Sequence, residues 1–280
     1  MLDVAQIAPN CQLGPDGIWY ADRDSAVSYP AHGHASCAQV EEASFWFNHR
    51  NACVVAAVCR FPPPPGEVIF DVGGGNGYVS LGLLRAGYCV AVVEPGVTGA
   101  RNARQRGIPV VLCATTTAAG FAPASLGAIG LFDVIEHIQD DLQFLKSMRA
   151  LLKTGGRLYA TVPAYPALWS AEDVDAGHFR RYTLAAICRK LRAAGFALEF
   201  ESYIFRPLPI PIFLLRALPA RLGFRRRRPS PDAQVSRDHL VGQDAPSRWL
   251  CKILASELKH LRAGTPMAFG GSCLVVARAI

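Results

Sequence analysis

The sequence lacks the motifs of several common binding classes. Nine cysteines occur in 280 residues, yet none forms a CxxC pair, and the two closest, Cys53 and Cys59, are spaced wrongly for zinc. No metal site is therefore expected. Several cysteines stand in apolar runs, where cysteine behaves as a small core residue, so we expect a reducing, cytoplasmic setting without a disulfide framework.

Targeting and membrane-spanning segments are also missing. Residues 1–10 contain neither a basic region nor a long apolar one, so no signal peptide is expected. A transmembrane helix needs about 18 or more apolar residues in succession. The nearest stretch, 203–220, is broken by four prolines and two arginines, so no transmembrane helix is expected.

The chain instead has the composition and pattern of a layered α/β protein. Half of its residues are apolar, which is enough for the core of one large domain. Short apolar runs alternate with helical patterns, and this predicts a Rossmann-like, doubly wound sheet. We expect seven mostly parallel strands with an antiparallel last one, at 68–72, 88–93, 109–113, 128–132, 157–162, 198–204 and 272–277.

Two segments fall outside this alternation. Residues 1–65 are predicted to form an N-terminal lid or cap that contains an aromatic-rich helix over 41–60. Residues 66–280 then form the main domain, with an insertion at about 205–265 that is rich in proline, then arginine, and ends in a helix. The sequence makes no prediction of oligomeric state.

The first predicted strand runs into a glycine-rich segment that marks a nucleotide site. Glycine permits positive φ and close approach of the backbone to a ligand, and the following helix offers free N–H groups. The NAD fingerprint GxGxxG fails, because Tyr78 and Ser80 stand where a last glycine is needed, and the P-loop Gly-Lys-Ser/Thr is absent. Glu94 ends the second strand, where an acid can bind both ribose hydroxyls.

Four segments together carry a family resemblance: IFDVGGGNG at 69–77, VEP at 93–95, FDVIEHI at 132–138 and LLKTGGRL at 151–158. Occurring in this order over about 66–204, they resemble class I S-adenosylmethionine-dependent methyltransferases, in the ubiquinone-methyltransferase-like branch that acts on small molecules. The segment from Trp169 to Thr183 looks like a bacterial subgroup of unassigned substrate. The resemblance implies S-adenosylmethionine as cofactor, S-adenosylhomocysteine as product, and a cofactor site built from Asp71, Gly73, Gly74, Gly75, Gly77, Glu94, Pro95, Thr115, Asp133 and Val134.

By the same resemblance, Glu94 holds the ribose diol, Asp71 reaches the methionine amino group, and Asp133 lies beside the sulfonium. The sequence departs from the family in two places. An acid that often contacts the adenine amine is replaced by Cys-Ala-Thr at 113–115, so adenine recognition is expected from the backbone or from Thr115. Gly127 stands where an acid usually starts the fourth strand.

Two histidines are candidate catalytic bases. His137 follows the fourth strand and His178 follows the fifth, so both are expected at the active edge of the sheet, where a near-neutral imidazole can take a proton from the acceptor. The alternative for His137 is that it orients its loop.

Five further residues are candidates for substrate binding. Two arginines after the fifth strand can clamp a carboxylate or a phosphate. The alternative is an ion pair with an acid at 172, 173 or 175. Aromatic and basic side chains on the N-terminal helix are expected to cover the pocket or to pack in the core. The predicted substrate residues are Trp46, Arg50, Arg180, Arg181 and Tyr182.

The insertion offers a second surface. Apolar residues from 205 onward and the four arginines at 225–228 are predicted either to contact an anionic membrane surface peripherally or to form a pocket lid and a solvated basic loop. Nucleic acid is not an expected partner, because the basic residues form no stripe with interleaved aromatics.

The sequence thus predicts a cytoplasmic methyltransferase that acts on a small-molecule or lipid- or sugar-linked acceptor, with O-methylation favoured over N-methylation. The alternative is a catalytically silent S-adenosylmethionine-binding protein with a regulatory or scaffolding role, in a cytoplasmic or membrane-peripheral location.

Overall fold

Helices and strands alternate through most of the chain in a computed structural model that describes residues 2–21, 41–222 and 245–280. The strands are β1 Cys11–Leu13, β2 Trp19–Ala21, β3 Ile69–Val72, β4 Val90–Val93, β5 Val110–Cys113, β6 Leu126–Phe132, β7 Leu152–Pro163, β8 Phe196–Ile204 and β9 Ser272–Ala279. The helices are α1 Val4–Ile7, α2 Phe45–Arg60, α3 Tyr78–Arg85, α4 Val97–Gln105, α5 Thr116–Ala119, α6 Asp141–Leu151, α7 Ala171–Asp175, α8 Leu184–Ala193, α9 Pro209–Ile212, α10 Leu218–Arg221 and α11 Ala245–Arg262. Short 3₁₀ turns at Ile135–His137 and Pro166–Leu168 and a π-helical turn at Phe213–Ala217 complete the described elements.

The nine strands of the described residues form one sheet, in the order β1-β2-β5-β4-β3-β6-β7-β9-β8. Neighbours from β2 to β7 are parallel, and β9 runs antiparallel to both β7 and β8. The predicted Rossmann-like sheet with an antiparallel last strand is therefore confirmed. Strand order reverses at β3, which lies between β4 and β6, and ligands of such sheets bind in the crevice at this switch point.

The predicted number of seven strands is wrong, because the N-terminal segment adds two. β1 and β2 form an antiparallel hairpin, and β2 pairs in parallel with β5 through Trp19 and Tyr20. Gly17 takes φ +76° in the turn, and the Tyr20 hydroxyl donates to Asp16 at 2.7 Å. Strands of three residues are too short to show a period of two, so the sequence pattern did not reveal them.

The sheet has apolar layers on both of its faces. Along β4, Ala91 and Val93 pack in the layer that includes α6 and α8, whereas Val90 packs in the layer that includes α2, α3 and α11. Side chains that alternate between two buried faces explain why the parallel strands read as continuous apolar runs.

The segments outside the central alternation meet at one face. α2 begins after Ser44, whose hydroxyl accepts a hydrogen bond from the Phe47 N–H at 3.2 Å, and it packs against α11 from the insertion. The arginines at 225–228 lie outside the described residues. None of the helices in the described part of the chain combines the length and apolarity that a membrane span requires.

Candidate functional site

The loop between β3 and α3 brings backbone rather than side chains to the crevice. Gly73, Gly75 and Gly77 have φ angles of +70°, +53° and +73°, which residues with a side chain rarely adopt. A Cβ on Gly73 would lie 2.8 Å from Val134 Cγ2, and one on Gly77 would lie 2.9 Å from the Cβ of Ala103. Glycine is therefore required at 73 and 77 for both conformation and space.

Glu94 follows β4 and binds the backbone on both sides of the crevice. Its Oε2 accepts a hydrogen bond from the Gly75 N–H at 2.9 Å, and its Oε1 accepts one from the Gly96 N–H at 2.7 Å. A carboxylate has about four acceptor positions, so these two bonds do not exhaust it. The geometry orients a buried carboxylate toward the site where a ribose diol is predicted.

Asp71 is the buried carboxyl group nearest the start of the glycine loop. The Ser80 hydroxyl donates to its Oδ2 at 2.7 Å. Burial raises the pKa of Asp71 to about 6, because the hydrogen bond from Ser80 and the charge of Arg50 only partly offset the loss of solvent. The group is therefore ionised at neutral pH and suited to a cationic partner.

A cavity of about 620 Å³ runs along the carboxyl ends of β3 to β6. Its volume lies within the range of about 300–1,000 Å³ that small-molecule sites occupy. Of the ten predicted cofactor residues, all but Gly77 line it. Gly77 is the N-cap residue that precedes α3, and it shapes the loop from outside the cavity.

Two predicted substrate residues of α2 line the same cavity. Arg50 forms an ion pair with Asp133, and its guanidinium carbon lies 4.6 Å from the ring centre of Trp46. Asp133 takes φ +57° after β6 and accepts a hydrogen bond from Thr161 Oγ1 at 3.1 Å. The Nε donor of Arg50 is buried and has no hydrogen-bond partner among the described residues.

Both candidate bases lie together in the cavity wall. The ring centres of His137 and His178 are 4.7 Å apart, with the planes nearly perpendicular. Burial, reinforced by the neighbouring His178, lowers the pKa of His137 to about 4, so its imidazole is neutral at physiological pH. Burial and the charge of Asp133 raise the pKa of Glu136, directly before His137, well above its usual range.

The buried carboxylate of Asp173 orients the ring of His178 through a hydrogen bond with Nδ1. His178 Nδ1 lies 2.9 Å from Asp173 Oδ1, and Arg181 Nε donates to the same oxygen at 2.8 Å. Although burial raises the pKa of Asp173, its hydrogen bonds with these two partners outweigh that effect and hold the pKa below the usual value. The ionised carboxylate can therefore accept a hydrogen bond from Nδ1–H, and in that tautomer His178 Nε2 is the acceptor nitrogen.

The three remaining predicted substrate residues do not line the cavity. Arg180 pairs with Asp141 at 2.8 Å, and the Tyr182 hydroxyl donates to the same carboxylate at 2.7 Å. Arg181 pairs with Asp173 at 2.8 Å, which is the ion pair that the sequence offered as the alternative. A contact with substrate stays a prediction for all three.

Other cavity residues had no predicted role. Asn76 lies inside the glycine-rich segment, but the sequence pattern does not distinguish a side chain that lines a site from one that packs beneath it. The cavity-lining residues without a prediction include Glu41, Phe47, Asn76, Tyr78, Ile138, Gln139, Phe144 and Phe179.

The fold and this site together define the family. Residues 47–200, more than half of the chain, match the sequence family described as a methyltransferase domain. The chain belongs to this family of methyltransferase domains, and its fold is that of the class I S-adenosylmethionine-dependent methyltransferases that it was predicted to resemble.

Two curated relatives match part of the chain at moderate sequence identity. The chain is 27% identical over 124 residues to a ubiquinone biosynthesis O-methyltransferase of Xanthomonas campestris pv. campestris (strain B100), over 42% of this chain and 52% of that protein. It is 34% identical over 119 residues to the protein of the same name from Paramagnetospirillum magneticum, over 41% and 48% of the two chains. The chain thus matches about half the length of these relatives.

Solved structures share the fold at low sequence identity. A Haloferax volcanii methyltransferase in complex with the activator Trm112 superposes with a TM-score of 0.53 at 17% identity, over 89% of this chain and 93% of that one. Phosphoethanolamine N-methyltransferase 2 of Haemonchus contortus, in complex with S-adenosyl-L-methionine, has a TM-score of 0.54 at 17% identity, over 90% and 58% of the chains. These likenesses concern the fold alone.

Proposed function

We propose that this chain transfers the methyl group of S-adenosylmethionine to an oxygen of a small-molecule or lipid- or sugar-linked acceptor. The observation that carries the proposal is the single cavity. It joins the glycine loop and Glu94 at one end to His137 and His178 at the other. Donor and acceptor can therefore meet in one cavity.

The donor end has the groups that the cofactor requires. The glycine loop exposes backbone N–H groups without side chains in the way, Glu94 takes the ribose hydroxyls, and Asp71 takes the ammonium of the methionine part. Pro95 and Thr115 border the adenine, and Thr115 also caps α5 by accepting a hydrogen bond from the Ala118 N–H at 3.1 Å.

The acceptor end has the groups that methyl transfer to a hydroxyl requires. S-adenosylmethionine held by the glycine loop and Glu94 would supply an electrophilic methyl group for the acceptor oxygen, and S-adenosylhomocysteine would be the leaving group. His178 Nε2 takes the hydroxyl proton, and Asp173 stabilises the resulting imidazolium through Nδ1–H. A neutral amine needs no such base, so the paired imidazoles favour oxygen over nitrogen.

The cavity walls favour an acceptor with an apolar part. Trp46, Phe47, Phe144 and Phe179 line it, and Phe179 is partly exposed at its rim. The curated relatives are named as O-methyltransferases of ubiquinone biosynthesis, which supports oxygen as the methyl acceptor.

A membrane-peripheral location is part of the proposal. The helical segment from α9 to α10 exposes Ile210, Leu214 and Leu215, each by more than half, and carries Arg216. Apolar side chains with nearby arginines suit an anionic lipid surface. Co-sedimentation with phosphatidylglycerol vesicles at low salt should pellet the protein, and a protein that stays in the supernatant would contradict this part.

Calorimetry with S-adenosylhomocysteine tests the donor half, with micromolar binding expected for the folded chain. Transfer from radiolabelled S-adenosylmethionine to a set of phenols, aliphatic alcohols and amines, with products identified by mass spectrometry, tests the acceptor half. Absence of S-adenosylhomocysteine binding would refute the proposal. Binding of S-adenosylhomocysteine without methyl transfer to any of these acceptors would instead favour the silent binding protein.

A further inference from the structure

Glu136 is a buried acid beside the two catalytic histidine candidates, and the proposed transfer does not use it. Its side chain is 1% exposed. Neither of its carboxylate oxygens has a hydrogen-bond partner among the described residues. Because burial of a carboxylate is costly, such groups are normally paired or bound to a cation.

The neighbours of Glu136 are metal-binding side chains. Three potential ligand atoms lie within 4.8 Å of one another, one each from Glu136, His137 and His178. Ligands of one tetrahedral ion at about 2.0–2.2 Å lie roughly 3.3–3.6 Å apart. Small side-chain rotations therefore suffice to bring the three onto one ion.

The surroundings of His178 match those of a metal-bound histidine. Histidine ligands commonly donate their second ring N–H to a carboxylate, which fixes the tautomer and the ring orientation. Asp173, itself 1% exposed, receives that hydrogen bond from His178 Nδ1 at 2.9 Å and is held in turn by Arg181. His178 Nε2 is thereby left as the ligand atom.

We infer that Glu136, His137 and His178 bind one divalent transition-metal ion in the wall of the cavity. Two imidazoles and one carboxylate suit Mn²⁺, Fe²⁺, Co²⁺ or Zn²⁺ better than the all-oxygen sites preferred by Mg²⁺ or Ca²⁺. Asp133 does not belong to the set, because its two oxygens already bind Arg50 and Thr161.

The site deepens the proposed function and rests on it for its role. His137 and His178 line the same cavity as the cofactor residues, so an ion there faces the acceptor. It would bind the acceptor oxygen and favour loss of the hydroxyl proton to water. With the ion bound, this route would replace the proton transfer to His178 Nε2 that is proposed above for the metal-free chain. Acceptors with two neighbouring oxygens, such as catechols, would then be preferred.

The test uses the full chain, treated with a chelator, dialysed and titrated with Mn²⁺ in the absence of any cofactor. Mn²⁺ has little affinity for the exposed thiols, and its electron paramagnetic resonance signal reports the free ion. We expect one bound ion per chain. Replacement of a residue that only hydrogen-bonds to a metal ligand weakens metal affinity about 10- to 100-fold. Glu136→Gln and His178→Ala change the ligands themselves, so each should weaken Mn²⁺ binding at least tenfold.

His260→Ala is the matched control, because His260 is exposed on α11 and bonds only to the carbonyl of Ser256 within its own helix. It should bind Mn²⁺ like the unmodified chain. No stoichiometric binding by the unmodified chain, or equal binding by all variants, would overturn the inference. If Glu136→Gln does not fold, as judged by circular dichroism, His178→Ala decides.

S-adenosylhomocysteine calorimetry on the same samples separates this inference from the proposed function. Glu136→Gln and His178→Ala should keep their affinity for S-adenosylhomocysteine, since Glu94 and the glycine loop are unchanged. If the unmodified chain binds S-adenosylhomocysteine but no Mn²⁺, the metal site alone is refuted. If it binds Mn²⁺ but no S-adenosylhomocysteine, the proposed function fails while the metal site stands.

Discussion

Replacement of Glu94 tests the donor half of the site most directly. Glu94→Ala removes the acceptor predicted for both ribose hydroxyls. A hydrogen bond to a charged group contributes about 1.5–3 kcal/mol, so two of them contribute about 3–6 kcal/mol. Because each 1.4 kcal/mol is about tenfold in affinity, S-adenosylhomocysteine should bind at least about a hundredfold more weakly.

The same substitution also loosens the loop. In the native fold Glu94 accepts hydrogen bonds from the N–H groups of Gly75 and Gly96 at 2.9 and 2.7 Å. Each buried donor left without a partner costs about 1–3 kcal/mol, so the free energy of unfolding should fall as well. Glu94→Gln keeps one acceptor oxygen, and it should lose less stability and less affinity than Glu94→Ala.

The assay pairs calorimetry with S-adenosylhomocysteine and urea denaturation of the same proteins. Glu67→Ala is the control, since Glu67 forms an ion pair with Lys153 away from the cavity. It should leave the affinity unchanged. An affinity of Glu94→Ala within threefold of the unmodified chain, in a protein that remains folded, would refute the ribose contact.

Three further predictions follow from the structure. Asp71 titrates near pH 6, so affinity for S-adenosylhomocysteine should be flat above that pH and fall about tenfold per unit below it, whereas calorimetry of Asp71→Asn should show no such dependence. Gly73→Ala should destabilise the fold by about 1–3 kcal/mol more than Gly87→Ala in urea denaturation, because both have positive φ but only Gly73 faces Val134; equal losses would contradict this. Asp173→Asn leaves the largely buried guanidinium of Arg181 without its ion-pair partner, so the free energy of unfolding in urea should fall by about 3–5 kcal/mol. A decrease of less than about 1 kcal/mol would mean that the pair is solvated.

Much of the donor site could be predicted from the sequence, because it depends on local geometry. The positions of Gly73 and Gly77 follow a buried strand directly, and only glycine fits their positive φ and their distances to Val134 and Ala103. Glu94 follows the next strand along the chain. Parallel strands bring their carboxyl ends to one edge, so these residues had to meet.

The acceptor side was harder to predict, because it depends on side-chain partners far apart in sequence. Arg180 and Arg181 have the chemistry of an anion clamp, yet their charges are engaged by Asp141 and Asp173. Conversely, Glu136 drew no prediction, although it is buried among the candidate bases. Tertiary packing decides which carboxylate pairs with which arginine, and the spacing of residues in the sequence does not predict these pairs.

The sequence by itself determined the class of sheet, the nucleotide-binding loop and the family, because these rest on local periodicity and on conformations that only particular residues adopt. Only the tertiary structure decided that two strands within residues 11–21 extend the sheet, and that Arg50 enters the cavity from α2. It also decided that Glu136 lies beside His137 and His178 with no hydrogen-bond partner for its carboxyl group in the described part of the chain. Those outcomes follow from long-range contacts, in which burial sets the charge and the available partners of each side chain.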